Sequence, residues 1–258
     1  MDWVRTFYDK QDEWTGCCRG EIMASDRERA FRIARLLGGR QARVLELGCG
    51  GGQTAAAIAE LGHIVVAMDS SLRAIESARR RARADFRGRM EAIHADYYTF
   101  EPGGRFDVVC CFDGFGVGED DDQRRLLRRI ARWLEQDGSA LIEVYAPSYW
   151  AAAAGTTMLF GDASRRYGFD AVGGRMLDTW WPNVRPEEAV TQSLRCYGPA
   201  DLCLLLKGTG LVLAGIEPGG AVDPVSGEYH SPVPLERAMS YLATVRRAQS
   251  RCMRIAPL

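Results

Sequence analysis

A chain of 258 residues, 47% of them hydrophobic and 26% charged, is long enough to bury a sizeable core in one large or two small domains. The formal net charge of −1 gives no general attraction to nucleic acid or to a membrane surface, and we expect neither as a partner. No apolar run reaches transmembrane length, and the start "MDWVRTFYDK" lacks the features of a signal peptide, so we expect a cytoplasmic location.

Eight cysteines and three histidines are scattered along the chain. Two neighbouring pairs occur, Cys17-Cys18 and Cys110-Cys111, but no C-x-x-C spacing and no histidine-rich motif accompanies them. We therefore predict reduced thiols and no metal site.

The first 24 residues mix aromatic and polar side chains, which favours an arm or lid, although a surface helix with packed aromatics fits equally well. The segment "SDRERAFRIARLLGG" predicts a helix that Ser25 caps and Gly38-Gly39 ends. Its apolar residues are expected to form the buried face: Phe31, Ile33, Leu36 and Leu37.

From residue 42 onward, short apolar segments alternate with helical patterns. The predicted strands are "ARVLELG", "HIVVAMD", "MEAIHAD", "RFDVVCCFD" and "SALIEVYAP". The predicted helices are "QTAAAIAELG", "SSLRAIESARRRARADF" opened by a serine cap, and "DDQRRLLRRIARWLEQDG" ended by Gly138. Strands that are apolar throughout and alternate with helices predict a doubly wound, mostly parallel α/β sheet with right-handed crossovers.

The alternation breaks between Pro147 and Tyr197. A hairpin across Gly173-Gly174 and a further strand, "EEAVTQSLRCYG", predict an antiparallel insertion, and Ala151–Ala154 are expected to start a helix. A helix and two strands then follow, "GPADLCLLLKGTG", "LVLAGIEPGG" and "SYLATVRRA". We therefore divide the chain into an arm (1–24), a core (25–147 and 198–250) and an insertion (148–197).

The stretch "VLELGCGGGQT" carries an apolar strand into a run of glycines, which lets a ligand approach bare backbone at a helix N-terminus. No lysine follows the glycines, which excludes a P-loop. The G-x-G-x-x-G spacing of a dinucleotide fold also fails, because Gln53 stands where the third glycine would fall when counted from Gly48.

The run Glu46-Leu47-Gly48-Cys49-Gly50 at a strand end resembles motif I of the class I S-adenosylmethionine-dependent methyltransferases, of the small-molecule (natural-product) type. The resemblance covers residues 25–147 and 198–250 and implies a seven-stranded Rossmann-like fold. Gln136-Asp137-Gly138 departs from the family's later L-x-P-G-G pattern.

The resemblance also implies the cofactor, S-adenosylmethionine, and its product, S-adenosylhomocysteine. Asp69, 19 residues after Gly50 (69 − 50), matches the family's ribose-binding acid, and Asp96 matches the acid beside the adenine. Two plainer roles stay open, Asp69 as a helix cap and Asp96 as a turn residue. The full set of predicted cofactor contacts is Glu46, Gly48, Cys49, Gly50, Gly52, Asp69, Ser70, Asp96, Tyr97 and Phe112.

The methyl acceptor is less sharply indicated. In-line transfer from a sulfonium mainly requires positioning, and a general base helps most with a hydroxyl. The candidate catalytic residues are His230, Asp113 and Tyr8, with Glu143 next, and the candidate substrate contacts are Trp14, Tyr145, Trp180 and Tyr197. Trp180 could equally anchor the insertion on the sheet. The acidic run Gly118–Asp122 is interpreted as a helix start rather than a metal site.

These features predict a bacterial enzyme of secondary metabolism that methylates an oxygen or nitrogen of a small aromatic or apolar natural product. A C-methyltransferase and a cofactor-binding protein without transfer activity stay as alternatives. No N/D-P-P-Y motif follows the fourth strand, which disfavours methylation of nucleic acid bases. Both a monomer and a homodimer are compatible with the sequence.

Overall fold

The computed structural model describes residues 2–223 and 226–248. The helices are α1 (Asp2–Thr15), α2 (Ala24–Leu36), α3 (Gln53–Glu60), α4 (Leu72–Arg81), α5 (Asp120–Trp133), α6 (Pro147–Ala153) and α7 (Pro199–Leu206). The strands are β1 (Arg43–Leu47), β2 (Ile64–Asp69), β3 (Arg89–His94), β4 (Phe106–Cys111), β5 (Leu134–Tyr145), β6 (Thr157–Phe160), β7 (Ala163–Asp170), β8 (Arg175–Pro182), β9 (Val190–Arg195), β10 (Leu211–Pro218), β11 (Ala221–Val222), β12 (Tyr229–His230) and β13 (Ser240–Arg247).

Seven strands form the central sheet in the order β10-β13-β5-β4-β1-β2-β3. Strands β1 to β5 pair in parallel, and β13 runs antiparallel to both of its neighbours. Successive residues of β1 point to opposite faces of the sheet, so Val44 joins one buried cluster while Leu45 and Leu47 join the other. The predicted doubly wound, mostly parallel seven-stranded sheet is confirmed.

Local capping signals explain where α4 begins. The Ser71 hydroxyl accepts a hydrogen bond from the Ala74 N–H at 3.2 Å, as the predicted serine cap requires. In α2, by contrast, the predicted Ser25 cap is wrong, because the helix begins one residue earlier and Asp26 bonds back to the Met23 N–H at 2.8 Å.

The buried face of α2 also differs from the prediction. Phe31 is 59% exposed and Leu36 is 36% exposed, whereas Ala30 and Ile33 are buried. The buried residues Asp26, Ala30, Ile33 and Leu37 lie three or four positions apart. One of them is an acid, which an apolar pattern alone overlooks.

The predicted helix over residues 121–138 is too long at its C-terminal end. Helix α5 stops at Trp133, and Leu134 pairs with Phe106 of β4. Gly138 therefore lies inside β5 rather than after the helix. Similarly, Pro147 starts α6 and Ala151–Ala154 lie at its end, because proline is favoured in the first helical turn.

Between α6 and α7, strands β6 to β9 form a four-stranded antiparallel sheet with the predicted turn at residues 171–174. Helix α1 packs against β9, and Phe7 (1% exposed) lies in a cluster with Ala163 and Trp180. The N-terminal segment is thus a helix packed on this second sheet. The division into arm, core and insertion stays a prediction.

None of the helices among the described residues is both long and apolar enough to cross a bilayer.

Candidate active site

A cavity of about 640 Å³ lies where the carboxyl ends of β1 to β4 meet, beneath helix α1. In a parallel sheet this edge collects the loops that follow the strands. The structure brings these predicted site residues to it: Glu46, Gly48, Cys49, Gly50, Asp69, Ser70, Asp96, Tyr97, Phe112, Asp113 and Tyr8. It also adds residues that were not among the predicted site residues: Arg29, Gly51, Gln53, Thr54 and the Cys17-Cys18 pair.

The glycine loop after β1 exposes backbone because side chains are excluded there. Gly48 and Gly50 have φ of 69° and 53°, in the left-handed region that favours glycine. A Cβ on Gly51 would lie 2.0 Å from the Cys18 carbonyl oxygen, so this glycine lets the N-terminal segment lie directly on the loop. Gly52, with φ of 80°, does not line the cavity, and a Cβ there would meet Met90 at 2.6 Å. Gly52 thus allows close packing against Met90 and Ala78, and its contact with the cofactor stays a prediction.

Glu46 is a buried acid beside this loop. It is 3% exposed, and its Oε2 atom has no hydrogen-bond partner among the described residues. Burial raises the pKa of Glu46 to about 8, against the opposing effect of Arg29. Such an orphaned carboxyl oxygen requires a donor from a ligand or water.

Asp69 ends β2 with its carboxylate in the cavity. One oxygen accepts the Gly50 N–H at 2.9 Å and the other accepts the Ser71 N–H at 2.8 Å, so Asp69 connects the ends of β1 and β2. Burial raises its pKa despite these bonds. Ser71 is also the residue that caps α4. Each carboxylate oxygen of Asp69 has two lone pairs, so acceptor capacity remains for a ligand.

Asp96 and Tyr97 follow β3 and border the same cavity. Asp96 stabilises the turn itself, because its carboxylate accepts the Tyr98 N–H at 2.8 Å. A turn role and a place at the cavity edge are therefore combined in one residue.

Asp113, just beyond β4, has φ of 62°, a conformation that is costly for a residue with a side chain. Asp113 is an exposed residue, and it lines the large cavity. It accepts a hydrogen bond from the Tyr145 hydroxyl. Burial, followed by the negative charge of Glu143, raises the pKa of Asp113.

Arg29 of α2 completes this wall of the cavity. Its guanidinium pairs with Glu143 at 2.9 Å and lies 4.8 Å from the centre of the Phe112 ring. No local pattern in α2 marks Arg29, since its partners are 114 and 83 positions away along the chain (143 − 29 and 112 − 29).

A smaller cavity of about 190 Å³ adjoins this wall and shares Arg29 and Phe112 with the first. Its other lining side chains include Glu143, Tyr145, Trp150, Tyr229 and Ser240. Tyr145 stacks on Trp150 with ring centres 5.1 Å apart. The Asp113–Tyr145 hydrogen bond and the Arg29–Glu143 ion pair thus separate two neighbouring spaces.

Four predicted site residues lie elsewhere, and their own contacts explain why. His230 is exposed on β12, 3.9 Å from Glu228, and lines neither cavity. Trp180 is buried, donates to Asp178 of its own strand at 2.9 Å, and packs with Phe7 of α1. Tyr197 is buried and donates to Asp120 at 2.8 Å, while Trp14 packs beside Phe7 and Trp180. We retain none of these four as a cofactor or acceptor contact.

The residues of the large cavity suit S-adenosylmethionine. The cofactor has no phosphate, and the cavity offers a bare backbone loop rather than a lysine. It carries an ammonium and a sulfonium, and the orphaned Glu46 oxygen together with Asp69 and Asp113 provides acceptors and negative charge. The residues that line the large cavity therefore fit S-adenosylmethionine.

Comparison with known proteins gives matches of two kinds. Residues 44–138 match a family model described as a methyltransferase domain. The mitochondrial ubiquinone biosynthesis O-methyltransferase of Schizosaccharomyces pombe is 38% identical over 85 residues, 32% of this chain and 30% of that protein. The cypemycin N-terminal methyltransferase of a Streptomyces species is 35% identical over 115 residues, 43% of this chain and 45% of that protein. The aligned region is therefore less than half of either curated relative.

Solved structures extend the similarity to nearly the whole chain. The CcbJ methyltransferase from Streptomyces caelestis has a TM-score of 0.72 at 23% identity, over 96% of this chain and 98% of that one. The sugar N-methyltransferase KedS8 from Streptoalloteichus has a TM-score of 0.60 at 20% identity, over 87% and 88%. At these identities the neighbours establish the fold.

The solved neighbours also include two proteins described with S-adenosylmethionine or S-adenosylhomocysteine bound. Residues 44–138 match a methyltransferase domain, and the chain as a whole has the seven-stranded fold of its solved methyltransferase neighbours.

Proposed function

We propose that this protein transfers a methyl group from S-adenosylmethionine to a nitrogen or oxygen of a small natural product, with a basic amine as the favoured acceptor. The observation that carries the proposal is the position of the Asp113 carboxylate. It lies at the end of β4, faces the cofactor cavity, and accepts a hydrogen bond from Tyr145.

The residues after β1 to β3 would hold the cofactor. Asp69 would accept from the ribose hydroxyls, Glu46 would accept from the ammonium of the methionine portion, and Asp96 and Tyr97 would border the adenine. When bound, S-adenosylmethionine supplies an activated methyl group that is open to in-line attack.

Asp113 would take the proton that the acceptor loses. A carboxylate whose pKa is raised by burial is a better proton acceptor near neutral pH than an ordinary aspartate. An ammonium ion is drawn to Asp113 and must lose its proton before the nitrogen can attack. A phenol would also lose its proton to a general base, so the preference for a basic amine rests on the positive charge of the ammonium ion, which the carboxylate attracts.

Two further features support an amine and a small acceptor. Curated and solved neighbours are described as an N-terminal methyltransferase, a sugar N-methyltransferase and a glycopeptide N-methyltransferase. The cavity beside Tyr145, at about 190 Å³, has room for part of a small molecule only. The aromatic cluster of the insertion gives less support to an aromatic acceptor than the sequence predicted, because Trp180 is buried away from both cavities.

The test begins with calorimetric titration of S-adenosylhomocysteine, for which we expect binding with one site per chain. Turnover is then measured on matched panels of aliphatic amines, anilines and phenols, with the methylated atom assigned by NMR. Turnover confined to phenols would overturn the preference for an amine. A carbon-linked methyl would establish the C-methyltransferase alternative. Binding without turnover on any panel would leave a cofactor-binding protein, and no binding would end the proposal.

A further inference from the structure

A group of potential metal ligands lies at the N-terminal roof of the large cavity, apart from the groups proposed to act on the acceptor. Within residues 2–223 and 226–248, Asp12, Cys17 and Cys18 form one group whose ligand atoms all lie within 4.8 Å of one another. Two thiols and a carboxylate are a donor set that soft or borderline cations prefer.

The distance between Asp12 and Cys17 is close to that expected in a metal site, and all three ligand atoms lie within 4.8 Å of one another. Tetrahedral zinc with Zn–S bonds of roughly 2.3 Å and a Zn–O bond of about 2.1 Å places its ligand atoms roughly 3.6–3.8 Å apart. The Cys17 Sγ and Asp12 Oδ1 atoms are 3.9 Å apart. A shift of a few tenths of an ångström would therefore suffice at this pair.

Asp12 itself favours a cation. It is 4% exposed, and its ion-pair partner Arg73 lies 3.7 Å away on an exposed side chain. Its Oδ1 atom, which faces the cysteines, accepts the Cys18 N–H at 2.8 Å. A buried carboxylate with so distant a counter-charge gains from a closer cation.

The site is accessible and mechanically connected to the cofactor loop. Cys17 is exposed, Cys18 is half-buried, and both line the cofactor cavity. The Cys17 carbonyl accepts the Gln53 side-chain N–H at 2.8 Å, and the Cys18 carbonyl lies against Gly51. A cation held here would tie the end of α1 to the segment that rests on the glycine loop.

We infer that Asp12, Cys17 and Cys18 form a binding site for a thiophilic divalent cation such as Zn²⁺ or Cd²⁺, with the fourth coordination position open to the cofactor cavity. Binding forms two metal–sulfur bonds and one metal–oxygen bond, and each thiol releases its proton to water. The inference concerns a site outside the methyl-transfer reaction and does not depend on it.

The experiment is a titration of the full chain with Cd²⁺, kept reduced by a non-thiol reductant. The sulfur-to-cadmium charge-transfer band in the ultraviolet reports thiolate coordination, and the melting temperature reports the tie between α1 and the loop. We expect the band to saturate at one cation per chain, with a rise in melting temperature. Mg²⁺, a hard cation, should produce neither effect.

Variants assign the ligands. The double variant Cys17→Ser, Cys18→Ser should lose the band, and Asp12→Asn should weaken cadmium affinity at least tenfold. Cys203→Ser, which removes an exposed thiol on α7, is the matched control and should leave the band unchanged. An absent band in the native protein, an equal band in the double variant, or an equal stabilisation by Mg²⁺ would each overturn the inference.

Discussion

At the scale of single residues, Asp69 performs two tasks with one carboxylate. Its two oxygens hold the Gly50 and Ser71 N–H groups, and the same oxygens face the cavity. A carboxylate fixed by backbone donors is already oriented before a ligand arrives, so it loses little entropy on accepting ribose hydroxyls.

Replacing Asp69 by Ala should therefore weaken binding of S-adenosylhomocysteine about 10- to 100-fold, because a hydrogen bond to a charged group is worth about 1.5–3 kcal/mol. Calorimetry measures the affinity. Asp107→Ala is the matched control, since Asp107 also holds a backbone N–H (of Arg43, at 2.9 Å) but at the opposite end of the sheet. Equal affinity in a folded Asp69→Ala protein would remove the ribose-binding role.

We propose that Asp113 acts on the methyl acceptor and does not bind the cofactor. Kinetic measurements can separate an effect on turnover from an effect on cofactor affinity. Asp113→Asn should lower kcat by about 10²–10⁴-fold, the usual contribution of a general base, while cofactor affinity changes less than about twofold. Because the carboxylate must be ionised to take a proton, the native rate should fall as pH drops below its raised pKa, and the variant should lack this limb. Asp121→Asn, at an exposed residue on α5, should leave both quantities unchanged. A variant with a native pH profile would exclude Asp113 as the base.

At the scale of elements, the sequence predicted those features that depend on residues close together along the chain. The glycine loop requires left-handed backbone at Gly48 and Gly50, and the Ser71 cap bonds a residue three positions away, so both are visible in the sequence. The end of α5 is different. Leu134 continues the helical pattern but pairs with Phe106, 28 positions earlier (134 − 106), and strand pairing overrides helical propensity.

The residues of the candidate site fall into the same two groups, those predictable from local sequence and those positioned by long-range contacts. The cofactor side consists of residues next to strand ends, and the structure brings most of them together. The positions of Arg29 and Trp180 depend on contacts that are distant along the chain. Arg29 of α2 pairs with Glu143 of β5, and Trp180 packs against Phe7 of α1. His230, a predicted candidate base in a loop, lies exposed on β12. These outcomes require tertiary packing, which one sequence does not reveal.

Helix α1 forms the roof of the cavity because one of its faces is anchored on the second sheet. Phe7 is 1% exposed against Ala163 and Trp180, and the neighbouring Tyr8 lines the cavity. Phe7→Ala should cost about 3–5 kcal/mol of stability at this contact. Hydrogen exchange should then be faster throughout α1, and S-adenosylhomocysteine should dissociate faster. Trp3→Ala, on the same helix at a 37% exposed position, should change neither. Equal hydrogen-exchange rates in α1 of both variants would show that Phe7 does not hold α1 against the second sheet.

At the scale of the whole molecule, the near-neutral chain concentrates three acids around one cavity. Glu46, Asp69 and Asp113 all line the cavity, and burial raises the pKa of each. Arg29 compensates only part of this charge, since it is already paired with Glu143. The free protein therefore holds these acids at a cost that a cationic ligand removes, and cofactor binding and stability should respond to pH together.

A carboxyl group with a raised pKa in the folded state loses its proton more easily once the chain unfolds. For Glu46 the two values are 4.5 and about 8, so between them the unfolded chain binds fewer protons and stability falls as pH rises. The melting temperature of the free protein should accordingly decrease from about pH 5 to about pH 8.

S-adenosylhomocysteine should reverse this trend, because its ammonium group stabilises the ionised Glu46. The increase in melting temperature at a saturating ligand concentration should therefore be larger at about pH 8 than at about pH 6. Thermal scans across pH, with and without ligand, give both curves. Glu46→Gln cannot ionise, so it should flatten the decline of the free protein and remove most of the pH dependence of the ligand effect. If the ligand stabilises native protein and variant equally at every pH, the orphaned oxygen of Glu46 is not the partner of the cofactor's ammonium.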